Sequence, residues 1–106
     1  MIRNRMPPIH PGVILRDEFL VPLDMSANAL ANRLGVPTNR ITAIVNGARA
    51  ITADTALRLA RFFDTTPDFW MNLQLRHDLR EAEEARGTKS ALRAIHPLKR
   101  ASTSAS

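Results

Sequence analysis

Cysteine and tyrosine are absent from this 106-residue chain, and glycine occurs only four times. Without cysteine, neither disulfides nor thiolate zinc sites can staple the fold, and a reducing cytoplasm is the natural setting. No glycine-rich loop that could cradle a phosphate is present, and no nucleophile setting. The histidines, His10, His77 and His96, stand on separate segments, with Asp78 and Glu81 beside the second. His77 and Glu81 share a helix face at i,i+4, a spacing that suits a metal pair. With no third ligand apparent, a surface ion pair is the expected reading. No catalytic residue, metal or cofactor is therefore expected. No stretch approaches the roughly 20 apolar residues needed to cross a bilayer. The N-terminal segment Met1–Pro8 carries charge with no apolar run behind it, which argues against a secretory signal. A soluble cytoplasmic protein with no membrane partner and no enzymatic activity is expected.

One further absence points somewhere positive: no acidic residue lies between Met25 and Ala53. The chain has 15 basic and 10 acidic residues and a formal net charge of +5. All but two of the basic residues are arginine, the exceptions being Lys89 and Lys99. The isoelectric point of about 11.3 lies well above the value of about 9 that flags nucleic-acid binders. The acids gather in Asp17–Glu18, Asp64 to Asp68 and Asp78 to Glu84, leaving the central segment and both tails basic. A chain of this length makes one domain, which buries about 60–65% of its unfolded surface, so that dimerisation would add to a modest stability.

Within the acid-free stretch, two short helices joined by a glycine turn are legible. Ser26 offers a hydroxyl to an unpaired first-turn amide, and Ala27, Leu30, Ala31 and Leu34 then recur at the spacing of one buried stripe. Gly35 supplies a left-handed stop and Val36 an apolar plug in the turn. Pro37 suits the start of a second helix. That helix directs Ile41, Ile44 and Val45 to the core and presents Thr38, Asn39, Arg40 and Thr42 on the other side, ending at Asn46–Gly47 with Arg49 just beyond. Short amide, hydroxyl and guanidinium side chains match the donors and acceptors on the floor of a DNA major groove, asparagine to adenine and arginine to guanine. An ordinary helical hairpin with a solvated polar face is the competing reading, and the missing acids tilt the balance towards DNA. Ala43 and Ala48 are small enough to let the backbone come close.

Outside this segment, Val13, Ile14, Leu15, Phe19 and Leu20 predict a first helix from Pro11 to about Leu20, broken by Pro22. Thr52, with Asp54 near the positive end, caps a fourth helix whose core contacts are Ala56, Leu57, Leu59, Ala60 and Phe63. Thr66-Pro67-Asp68 starts a long fifth helix that should run through Arg86 to a stop at Gly87. Its residues Phe69, Trp70 and Leu73 are read as core. A second line, Met71, Leu75, Leu79 and Ala82, is the candidate dimer surface, the alternative being that both lines wrap one core. Residues 1–7 form a flexible arm, 8–87 the domain, with the helix pair at about 26–46, and 88–106 a basic tail whose Leu92, Ile95 and Leu98 are available for docking.

These residues resemble the HigA-type antitoxins, a branch of the XRE or Cro/CI-like helix-turn-helix proteins. The resemblance rests on His10-Pro11-Gly12 with Ile14-Leu15-Arg16, Phe19-Leu20 and Pro22-Leu23, and on Leu34-Gly35-Val36, Arg40-Ile41 and Asn46-Gly47. It continues through the run from Ile51 to Ala60, Phe69-Trp70 and Asn72-Leu73-Gln74, so that it spans nearly the whole chain, from Pro8 to about Ala82. It implies an all-α, compact five-helix, lambda-repressor-like domain that acts as a homodimer. The family's members bind operator DNA, repress their own operon and neutralise a HigB toxin, a RelE-like ribonuclease that cuts messenger RNA. Carried over by position, Thr38, Asn39, Arg40, Thr42 and Ala43 would lie in the major groove, with Ala27, Asn28, Asn46 and Arg49 near phosphates. Asp24 stands where the family often has glycine, and Val13 where it often has an acid. A basic toxin would be repelled by a basic tail, which makes the acidic patch of Asp78, Glu81, Glu83 and Glu84 the candidate toxin surface. The alternative function is a free-standing repressor with no toxin, whose groove-reading face would be identical.

Overall fold

The computed structural model describes residues 9–99, all of whose regular structure is helical. Helix α1 opens as an α-helical turn over Pro11–Ile14 and continues with a wider π-helical winding over Leu15–Leu20. There follow α2 (Ala27–Leu34), α3 (Thr38–Val45), α4 (Ala53–Phe63), α5 (Pro67–Glu84) and a short α6 (Thr88–Arg93). α2 packs on α3 and α4 on α5, while α1 lies against both α3 and α5 and closes the bundle.

The start and stop signals act mostly as their chemistry requires. The Ser26 hydroxyl accepts from the Ala29 amide at 3.0 Å and the Thr66 hydroxyl from the Phe69 amide at 3.1 Å. Gly35 and Gly47 take left-handed conformations with φ of 74° and 80°. Pro37 proves to be the N-cap itself, in extended conformation, with α3 beginning one residue later. Thr52 holds the cap position of α4 without a capping hydrogen bond; its hydroxyl turns to Thr55 Oγ1 at 3.5 Å.

The core comprises Leu15, Leu20, Leu30, Ala31, Leu34, Ile41, Ile44, Ile51, Ala56, Leu59, Ala60 and Trp70. Trp70 stacks obliquely on Phe19, with ring centroids 4.9 Å apart, and its indole N–H donates to Thr65 Oγ1 at 2.8 Å. Phe69 and Leu57, both expected inside, lie partly or largely at the surface, because the sides of α5 and α4 that carry them face outward. Gln74 is buried instead. Its carbonyl oxygen accepts from the Ile51 amide at 2.7 Å and its amide donates to Asp78 at 2.8 Å, so one side chain fastens the entry of α4 to α5.

Two expectations at the C-terminal end are corrected. α5 stops at Glu84, where Ala85 turns to an extended conformation, rather than running through Arg86. Gly87, left-handed at φ 86°, opens α6 rather than ending α5, so a sixth helix occupies the first part of the segment read as a tail. The arm at residues 1–7 and the end of the tail, 100–106, lie outside the described residues.

Candidate nucleic-acid interface

The hairpin α2–α3 is anchored from below. Leu30, Ala31, Ile41 and Ile44 are completely buried, which fixes the height and roll of α3 against the body of the domain. The opposite side of α3 carries Thr38, Asn39, Arg40, Thr42 and Ala43, of which Asn39 is exposed and the others half-buried. All five keep some solvent access while Ile41 and Ile44 have none, the division that spacing predicts for Thr38, Asn39, Arg40 and Thr42.

Further contacts set the pose of this face. The Thr38 hydroxyl donates to Asn28 Oδ1 at 2.6 Å, joining the start of α3 to the start of α2. The Thr42 hydroxyl bends back to the Asn39 carbonyl at 3.4 Å. Arg40 Nη1 donates to Asp54 Oδ2 at 2.6 Å, and the same oxygen receives Arg58 Nε at 3.0 Å. Arg58 Nη1 also donates to the Leu34 carbonyl, one of the unpaired carbonyls at the end of α2, at 2.7 Å. The sequence read the reading face as free of acids, yet Asp54, the first acid after the gap, folds back onto it. The Asp54–Arg58 spacing of i,i+4 forecast one arm of this network; the arm to Arg40, fourteen residues away, had no sequence signal. Both arginines hold the Asp54 carboxyl below the usual carboxylate range, Arg40 contributing most.

Ala27 is half-buried and packs partly against the core. Asn28, Asn46 and Arg49 are exposed. Arg49 lines an open cleft with His10, Gly47, Gln74, His77, Asp78 and Glu81. The fold thereby brings together His10 and His77, which the sequence held apart, with ring centroids 4.9 Å apart. His10 Nδ1 accepts from the Gly12 amide at 2.9 Å and the ring also bonds to the Arg49 backbone. Burial and then the neighbouring His77 push the His10 pKa down, against the opposing pull of Glu81, the Arg49 backbone and Asp78. His10 thus works as a neutral staple between α1 and the loop after α3. Among the described residues no group of side chains is arranged to hold a metal ion.

On α5, Met71, Leu75 and Leu79 are 37%, 53% and 54% exposed and Ala82 is exposed beside them. The reading in which this second line wraps the domain's own core is thereby corrected. The acidic patch is partly occupied by the chain itself. Asp78 accepts from Gln74 and meets His77 at 3.2 Å, Glu81 lies 3.6 Å from His77 Nε2, and Glu84 lies 3.5 Å from Arg80. The donation from Gln74, with a smaller effect of His77, lowers the Asp78 pKa.

This architecture has known counterparts. A helix-turn-helix family model matches residues 16–70. Virulence-associated protein I of Dichelobacter nodosus is 49% identical over 96 residues, covering 91% of this chain and 86% of its own. An addiction-module antidote protein of the HigA family from Coxiella burnetii superposes with a TM-score of 0.81 at 55% identity, covering 88% of this chain and all of its own. The Pseudomonas aeruginosa antitoxin HigA, solved with the higBA promoter, superposes with a TM-score of 0.81 at 49% identity over 87% of this chain and 99% of its own. No described helix is long and apolar enough to cross a membrane.

Proposed function

The chain belongs to the helix-turn-helix family, in the branch of the HigA antitoxins, and from that premise we propose that it is a sequence-specific operator-binding autorepressor and the antitoxin of a HigBA-type module. The observation that carries the DNA reading is the two-sidedness of α3. Ile41 and Ile44 are fully buried while the amide, hydroxyl and guanidinium groups of Asn39, Thr38, Thr42 and Arg40 face outward on a basic domain. Such a helix fits a major groove, and its side chains fit base edges. Asn28, bonded to Thr38 at the start of α3, and the exposed Asn46 and Arg49 at and beyond its end are the groups we assign to phosphates, which fix register without reading sequence. Operator binding would assign the protein's work to the cytoplasm.

The partner it neutralises is a RelE-like, HigB-type toxin. The acidic face of α5, with Asp78, Glu81, Glu83 and Glu84, complements a basic toxin better than the basic C-terminal segment does. Met71, Leu75, Leu79 and Ala82 form the homodimer contact, because a continuous apolar line on a helix otherwise stays in water. The second reading, a solitary repressor, keeps the same DNA face and dispenses with the toxin.

A gel-shift on the duplex upstream of the chain's own gene, with and without the product of the adjacent gene, tests both halves. A shift with the protein alone supports the repressor. A change in that shift, together with rescue of protein synthesis from the adjacent product, supports the antitoxin. Rescue that survives charge reversal at Glu81, Glu83 and Glu84 would discard the acidic surface, and absence of any rescue would leave the solitary repressor.

A further inference from the structure

The network that ties Arg40 to α4 has a consequence for how bases are read. We propose that Asp54 is a specificity-determining positioning residue: it fixes the Arg40 guanidinium so that one defined edge is offered to a guanine. The inference rests on the reading that Arg40 faces base edges, and deepens it.

A guanidinium has two edges able to make paired donations, Nε with Nη2 and Nη1 with Nη2. Asp54 Oδ2 engages Nη1 at 2.6 Å, which sets a carboxylate beside the second edge and leaves Nε with Nη2 as the edge that has no protein partner among the described residues. Two parallel donors in this arrangement match guanine O6 and N7. The anchor does not swing with its load. Asp54 is itself gripped by Arg58 at 3.0 Å, and Arg58 is pinned to the Leu34 carbonyl at 2.7 Å. Arg40 is thus referenced to α2 and α4 as well as to its own helix. Its side chain is only 24% exposed, where a solvated surface arginine would be far more open. A loose arginine at the lip of a groove finds phosphates, which lie on either side and carry no sequence information. A carboxylate alongside discourages that capture by repulsion, while costing some affinity for every sequence. Asp54 therefore trades general attraction for discrimination.

The test uses the full chain and duplexes selected by it from a randomised pool, then varied one base pair at a time. Arg40→Ala should abolish the preference at one base pair in each half-site, about tenfold in affinity ratio. Asp54→Asn should strengthen binding to an unrelated duplex and reduce the preference at that same base pair by about threefold, the size expected for a partly exposed ion pair. Asp54→Glu, which retains both arginine partners, should restore the preference. In the Arg40→Ala background, Asp54→Asn should change only the unrelated binding, since coupling at one base pair requires both residues. Melting of each variant guards against a loss of fold, and the Glu variant supplies the comparison if the Asn variant melts early. If Asp54→Asn leaves every ratio unchanged, whether or not all affinities rise together, Asp54 is a bystander charge and the inference falls. If Arg40→Ala itself leaves all base preferences intact, the assignment of α3 to the groove falls first.

Discussion

Arg40 and Arg49 both sit at the candidate interface, but they differ in what holds them. Arg40 is locked by Asp54 on the outward side of α3, whereas Arg49 stands exposed after the helix on the far side of Gly47. Arg40→Ala should cost about 1–3 kcal/mol of operator binding and relax preference at one position. Arg49→Ala should weaken all sequences alike and reduce the slope of log affinity against log salt by about one contact. Equal behaviour of the two across a panel of operator variants would refute this division. His10 has a measurable signature too. Its pKa is depressed below 6.5 in the folded chain, so between those two values the unfolded chain binds the extra proton. Its contribution to stability is complete above pH 6.5 and is lost as pH falls through the lower folded value. Thermal melting should show this loss on acidification, and His10→Asn, which keeps a cap acceptor for Gly12 but cannot titrate, should flatten the slope in that window.

At the scale of elements, the His10-Pro11-Gly12 sequence has a mechanical explanation. The histidine caps α1, the proline starts it, and the glycine lets it cross α3 at backbone contact. A Cβ at Gly12 would collide with the Ile44 carbonyl oxygen. Because that oxygen is main chain in the helix that carries the reading face, relief requires moving α1 or α3 bodily. Gly12→Ala should therefore destabilise the domain by about 3 kcal/mol, visible as a lowered denaturation midpoint, and weaken operator binding in whatever fraction remains folded. The turn before α2 offers the opposite case. Asp24 holds φ 52°, a left-handed conformation that aspartate tolerates and glycine adopts without cost. Asp24→Gly should be neutral to stabilising, within about 1 kcal/mol. A clear loss in a melting experiment would show that the aspartate side chain matters there.

For the whole molecule, the exposed line on α5 lies on the side of the helix away from Trp70 and Gln74, which are buried. Joining two such lines about a two-fold axis would give a dimer that carries two α3 helices. A palindromic operator with half-sites about 34 Å apart, one turn of DNA, is the expected target. Leu75→Glu with Leu79→Glu should turn the protein monomeric by light scattering and abolish tight operator binding, while circular dichroism shows the helical fold retained, since both side chains are already more than half exposed. Persistence of the dimer would relocate the interface, with the exposed Leu92 and Ile95 near α6 as the next surface to alter.

How much could be read beforehand depended on the range of the interactions concerned. The hydroxyl at Ser26, the glycine at 35 and the alternation of Ile41 and Ile44 with Asn39 and Arg40 act within a few residues, and caps, turns and helical faces follow from such local chemistry. The helical class, the α2–α3 pair and the outward side of α3 were legible for that reason. Local signals misled where two uses of one residue compete: glycine stops a helix or opens one, and Gly87 does the second. Contacts between distant segments left no mark of comparable strength. The meeting of His10 with His77, the burial of Gln74 under Ile51 and the capture of Arg40 by Asp54 join residues 14 to 67 positions apart. They arise only when packing of the apolar faces has chosen one mutual arrangement of the helices. The sequence alone determined that a polar, acid-free side of a helix would be offered to solvent; the tertiary structure decided how firmly, and by which acid, its arginine is held, because only a closed core brings the start of α4 within reach of Arg40.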